Sequence, residues 1–202
     1  MELAPFRQLF VRQRHELGEW IGFETRNKYE IVDEAGRAVA FAAEQHKGIL
    51  GFLLRQLLGH WRRFEIHFFS TDRQPFLVAR HPFRFLFQRL EVFDSGGALI
   101  GALQQRFAIL TKRFDVEDST GQVVMEVASP FWRIWTFPFT YRGIQRAVVS
   151  KKWSGILSEA LTDRDNFLVQ FDDAGLSEEE RRLLLGAAVF IDLQYFERKA
   201  KS

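Results

Sequence analysis

The segment from His46 to Arg63 combines apolar periodicity with positive charge. Ile49, Leu50, Leu53, Leu54, Leu57, Leu58 and Trp61 recur at i, i+1, i+4 and i+5, which places them on one helical stripe. Lys47, Arg55, His60, Arg62 and Arg63 lie on or beside the other face. Such a helix has two physical uses. Its stripe can pack on the end of a larger fold. Alternatively it can lie in a membrane interface, the stripe among acyl chains and each cation gaining about 1 kcal/mol near anionic headgroups. Gly48, Gly51 and Gly59 each weaken the helix, by up to about 1 kcal/mol relative to Ala.

Covalent chemistry has no comparable signal. The motifs G-x-S-x-G, G-x-x-x-x-G-K-[ST], G-x-G-x-x-G and H-E-x-x-H are all missing. The histidines, at positions 15, 46, 60, 67 and 81, do not have the spacing of a metal set. With no cysteine there is no disulfide, no thiolate metal site and no S-acylation site, which fits a reducing, cytosolic setting. Lys and Arg number 28 against 26 Asp and Glu, so bulk charge does not call for a nucleic-acid partner, and any basic surface must be local. Met1 to Arg14 carries Arg7, Arg12 and Arg14 and no apolar core long enough for a signal peptide.

The elements that must position these residues follow from a repeated phrase. It reads Lys28-Tyr29-Glu30-Ile31-Val32-Asp33, then Arg89-Leu90-Glu91-Val92-Phe93-Asp94, then Arg113-Phe114-Asp115-Val116-Glu117-Asp118, with a degenerate copy from Arg63 to Ile66. Each copy alternates charged and apolar residues, as a half-buried strand does. Turns such as Asp33-Glu34-Ala35-Gly36 and Asp118-Ser119-Thr120-Gly121 put Gly where positive φ is easiest and Asp where its side chain can bond the turn. Strand-like runs fall at 28–33, 37–43, 63–70, 75–80, 84–93, 98–106, 107–117, 122–128, 131–137, 144–153 and 165–171. Hairpin spacing of this kind predicts a closed barrel or a sandwich. No linker interrupts residues 1–202, so a single domain is expected, and 47% hydrophobic content supports a sizeable core. Ser177 and Glu180 then form a capping box ahead of Leu183 to Ile191, a run with no polar face. A helix apolar on every side is buried, and this one is far shorter than the ~20 residues a bilayer needs. It is predicted to plug the barrel, with Asp192 requiring a partner such as an Arg or a backbone donor.

Three stretches resemble the phospholipid scramblase family, within the tubby-like superfamily. They are Gly22-Phe23-Glu24-Thr25-Arg26-Asn27-Lys28-Tyr29-Glu30-Ile31 with Phe41-Ala42-Ala43-Glu44, the run from Trp153-Ser154-Gly155 to Asp165-Asn166-Phe167, and Gly186-Ala187-Ala188-Val189-Phe190-Ile191-Asp192 to Phe196-Glu197. The resemblance implies a mainly β fold: a closed barrel of about twelve mostly antiparallel strands around a buried hydrophobic C-terminal helix. It implies a membrane-associated protein at the inner face of the plasma membrane, binding phospholipids, anionic ones included, and moving them between leaflets. A peripheral lipid- or phosphoinositide-binding adaptor and a soluble protein-interaction module are the alternatives. Eukaryotic members carry a Pro-rich N-terminal region and a Cys-rich palmitoylated stretch after the first hairpin, neither of which is seen here. The His46–Arg63 helix falls where the Cys-rich stretch would stand, and is expected to replace that lipid anchor. The family's proposed calcium segment aligns with Asp163 to Asp173, where Asp163, Asp165, Asp172 and Asp173 offer carboxylates to a weakly held Ca2+. The same four acids also read as a turn organiser and a strand terminus, because Asn166 to Phe171 alternates as a strand, Arg164 competes, and Ala174 stands where a closing acid is expected. Arg62, Arg63, Arg80, Arg84, Arg89 and Arg113 are candidates for an outward basic patch or for an ordinary solvated surface.

Overall fold

In each copy of the phrase the alternating apolar pair faces one way. Tyr29 and Ile31, Leu90 and Val92, and Phe114 and Val116 are all buried in one continuous core. Their charged neighbours, pointing to the other face by strand alternation, bond one another across strands. Arg89 donates to Glu117 at 2.7 Å, and Arg106 donates to Asp115 at 2.6 Å and to Glu117 at 2.9 Å. A sheet built this way has one apolar side, which closure into a barrel turns inward.

The computed structural model describes residues 1–14, 28–45, 63–84, 86–109, 111–130, 132, 135–152 and 166–193. Its strands are β1 (Gln8–Gln13), β2 (Lys28–Val32), β3 (Ala38–Gln45), β4 (Phe64–Ser70), β5 (Pro75–His81), β6 (Arg89–Asp94), β7 (Leu99–Arg106), β8 (Thr111–Asp118), β9 (Val123–Pro130), β10 (Thr136–Tyr141), β11 (Ile144–Lys152) and β12 (Asn166–Phe171), followed by the helix α1 (Glu178–Ile191). Sequence neighbours pair throughout, all antiparallel, and β1 on β12 closes a barrel of twelve strands.

The helix fills the barrel. Arg181 and every residue from Leu183 to Ile191 are buried. Small residues let the two surfaces approach: a Cβ on Gly186 would stand 3.3 Å from Val92 on β6, and Ala187 and Ala188 follow. Ser177 accepts from the Glu180 N–H at 3.1 Å, and Glu180 accepts from the Ser177 N–H at 2.8 Å, so the expected capping box forms. Asp192 is buried, and the Tyr29 hydroxyl donates to it at 3.0 Å.

Several expected boundaries shift. No run was expected for β1, because Leu9, Phe10, Val11 and Arg12 are all buried and leave no alternation to read. The run expected at 131–137 becomes β10 at Thr136–Tyr141. Its turn, Arg142 with φ 49° and Gly143 with φ 80°, has the two positive φ values of a type I′ hairpin without an Asn or Asp to advertise it. Pro138 lies within β10, where register with β9 is confined to Phe139 and Thr140, so its missing N–H breaks little of that ladder. The expected 84–93 and 107–117 runs start later, at Arg89 and Thr111, leaving 82–88 and 107–110 as connections.

Candidate functional site

An all-antiparallel barrel of sequential strands alternates its connections between two ends. At one end lie the tight turns 33–37, 71–74, 95–98, 119–122 and 142–143, and the link from β12 to α1. At the other lie the strand ends where the chain leaves β1, β3, β5, β7, β9 and β11 and enters β2, β4, β6, β8, β10 and β12.

The turn end is polar, hydrogen-bonded and rich in acids. Asp33, Asp94 and Asp118 each accept backbone N–H groups across their own turns. The Thr120 hydroxyl bond, with the backbone N–H groups of Gln122, Thr120 and Gly121, outweighs burial and holds the Asp118 carboxyl below its ordinary range. Burial pushes Asp33 upward, but the Arg37 N–H and guanidinium and the Ala35 N–H bring it below the ordinary value. The chain's first residues latch onto the start of α1. Leu3 N–H donates to both Glu178 oxygens at 2.9 Å, Arg181 donates to the Phe6 carbonyl at 2.9 Å, and Arg182 donates to the Met1 carbonyl at 3.0 Å. Glu178, Glu179 and Glu180 in the first helical turn complement the positive end of its dipole.

Asp172 and Asp173 belong to this end. Asp173 accepts from Arg146 Nε at 2.8 Å and from the Gly175 N–H at 2.7 Å, and the Arg146 bond first of all holds its carboxyl below the ordinary range. Arg146 also bridges to Glu180. Burial disfavours its charge, but the bonds from Asp173 and Glu180 prevail and raise its pKa. Asp172 accepts from Gln145 at 2.8 Å and Gln170 at 2.7 Å. Asp163 and Asp165 precede β12 and lie outside the described residues. Asp172 and Asp173 follow the strand, whose six residues span about 20 Å at ~3.3 Å each. Among the described residues no group of three or more His, Cys, Asp or Glu is placed to hold a metal.

The other end is where the sequence placed lipid contact. Lys47, Leu53, Leu54, Arg55, Leu57, Leu58, Trp61 and Arg62 lie outside the described residues. The strand ends that flank them, Gln45 of β3 and Phe64 of β4, lie at the connection end. Of the basic candidates, Arg89 is held by Glu117 and Glu91, and Arg80 lies 3.5 Å from Glu65 and over the Phe93 ring. Arg63, Arg84 and Arg113 are exposed, and all three stand at or near the connection end. Sequence reasoning passed over the apolar side chains exposed beside them, having taken Leu86, Phe87 and Phe107 for strand residues and left Phe83 between two runs. The signal was present: Phe85-Leu86-Phe87 is apolar at three consecutive positions, without the charged alternation of the other strands.

Residues 2–198 match the Scramblase family model. Phospholipid scramblase 1 of Mus musculus is 30% identical over 211 residues, which cover 97% of this chain and 63% of that protein. Phospholipid scramblase 1 of Homo sapiens is 29% identical over 210 residues, covering 96% of this chain and 64% of that protein. The chain thus spans under two thirds of the length of these relatives. A solved protein of Arabidopsis thaliana shares the fold, with a TM-score of 0.54 at 12% identity, over 94% of this chain and 91% of that one.

Proposed function

This chain belongs to the Scramblase family, and on that premise we propose that it is a phospholipid-binding protein of membrane surfaces that moves phospholipids between leaflets. The family match, which runs the length of the barrel and its helix, carries the reading. The protein works peripherally at the cytosolic face, on the inner side of the plasma membrane. Among the described residues no helix is long and apolar enough to cross a bilayer. The His46–Arg63 stripe serves as the anchor, with Lys47, Arg55, Arg62 and Arg63 at anionic headgroups. Calcium is held weakly by one of the two acid pairs, Asp163 with Asp165 or Asp172 with Asp173, since β12 keeps the pairs about 20 Å apart, and at the second pair it competes with Arg146 for Asp173.

One observation favours a second reading, a lipid-binding adaptor without transport. The barrel interior is occupied by α1, whose residues from Leu183 to Ile191 are all apolar and buried. Under the transport reading, lipid passes outside the barrel, through local disturbance of the bilayer.

Two measurements separate the readings. Co-sedimentation with vesicles of rising phosphatidylserine content, with calcium or chelator, should show binding that grows with anionic lipid. Leaflet exchange of a fluorescent phospholipid, followed by dithionite quenching, should then accelerate. Binding without exchange selects the adaptor. No binding under any condition rejects both and leaves a protein-interaction module.

A further inference from the structure

Three connections that follow one another around the barrel, 82–88, 107–110 and 131–135, leave from the same end. Phe83, Leu86, Phe87, Phe107, Ile109 and Trp132 are exposed there, large apolar side chains turned to water at one pole of the molecule. The sequence of the three connections contains no acid, and its only charges are Arg84 and Arg133. Among the described residues, acids near these connections are engaged: Glu65 by Arg80, Asp115 by Arg106, and Glu117 by Arg89 and Arg106. The opposite pole carries Asp72, Asp94, Asp118 and Asp172, with Asp33 and Asp173 paired to Arg37 and Arg146; its exposed apolar side chains, Leu99, Val123, Tyr141 and Ile144, sit singly on the strand ends beside these turns.

The first of these connections is also held in place. Gln105 donates its N–H to the Gln88 carbonyl at 2.8 Å, Gln88 N–H donates to Gln105 Oε1 at 3.0 Å, and Gln104 donates to the Phe87 carbonyl at 3.2 Å. Phe87 itself has φ 53°, a left-handed conformation that costs energy for an aromatic residue and persists because its surroundings impose it. The apolar side chains are thus presented on a fixed frame. Aromatic and aliphatic groups interspersed with arginine, without acids, match the acyl–headgroup boundary of an anionic membrane.

We infer that the barrel docks end-on, its connection end pressed into an anionic phospholipid bilayer and its acidic turn end facing away. This rests on the membrane reading above and adds to it an orientation and a contact surface separate from the His46–Arg63 segment.

The absence of cysteine makes the test direct. Single Ile109→Cys and Ile144→Cys variants carry an environment-sensitive fluorophore at opposite poles, at positions 82% and 71% exposed. Vesicles of phosphatidylcholine with phosphatidylserine should blue-shift the probe at 109, and nitroxide-labelled lipid should quench it, while the probe at 144 stays in water. Phe107→Glu with Ile109→Glu should weaken vesicle binding about tenfold or more, and Ile144→Glu should not. Circular dichroism and melting temperature should match the parent for each, since these side chains are exposed. Vesicle binding by the parent with the probe at 144 buried, or with neither buried, overturns end-on docking and leaves the membrane reading standing. So does unchanged affinity of the Phe107→Glu, Ile109→Glu protein. Failure of the parent to bind vesicles overturns both, and marks the exposed end as a protein-binding surface.

Discussion

Asp33, Asp94 and Asp118 occupy one position of the repeated phrase and perform one task, gathering the N–H groups of the turn that follows. Because the folded protein holds the Asp33, Asp118 and Asp173 carboxyls below their ordinary pKa, the unfolded chain binds more protons in acid. Their contribution is complete above the unfolded carboxyl pKa of about 4 and is lost as pH falls through the lower folded values. Asp118→Asn should therefore flatten the acid limb of stability against pH, below about pH 4, measured by urea unfolding at successive pH values. Arg146 is the other residue whose removal is informative. It ties β11 to Asp173 and to Glu180 of α1, and Arg146→Leu should cost about 2–3 kcal/mol by leaving Glu180 without its guanidinium. If Asp173 is a calcium ligand, the same change should tighten calcium, read by isothermal titration, because a competing cation is gone.

Elements meet closely at two glycines, with opposite consequences. A Cβ on Gly101 of β7 would collide with the Glu117 carbonyl of β8 and stand 3.1 Å from Leu183 of the helix. Backbone cannot move aside cheaply, so Gly101→Ala should cost about 2–3 kcal/mol, a fall in Tm of about 4–12 °C by calorimetry. Gly186 meets only the ends of the Val92 and Leu90 side chains, at 3.3 and 3.7 Å. There the crowding is offset by Ala's helix propensity, worth about 1 kcal/mol, and Gly186→Ala should leave Tm within about 3 °C. Ser177→Ala removes the acceptor for the Glu180 N–H and should lower stability by about 1 kcal/mol.

At the scale of the whole molecule the helix and the barrel wall share a single core. Leu183, Leu184, Val189 and Phe190 belong to the same cluster as Val92, Phe114 and Phe139. A chain ending at Gly175 would leave twelve strands facing an unfilled interior, and should lose its near-ultraviolet circular dichroism and cooperative melting. The molecule is also polar from end to end. Tight acid-bearing turns cluster at one pole, and Phe83, Leu86, Phe87, Phe107, Ile109 and Trp132 are exposed at the other, the asymmetry that end-on docking exploits.

Strand alternation, turn chemistry and capping are local, so hairpins, turn aspartates and the α1 cap could be read directly from the residues. The plug followed from a run apolar on all sides, which only an interior can accept. β1 could not be read, because a strand covered on both faces carries no period. Nor could the uses of the four aspartates be told apart. Asp173 and Asp172 are engaged by Arg146, Gln145 and Gln170, side chains brought beside them by the β11–β12 pairing and the turn into α1. Leu86 and Phe107 fall within runs expected as strands, and folding put them on exposed connections instead. The sequence by itself determined which residues alternate, turn and cap. Only closure of the barrel decided which connections share an end, because that depends on strand order and not on any one residue's neighbours in the chain.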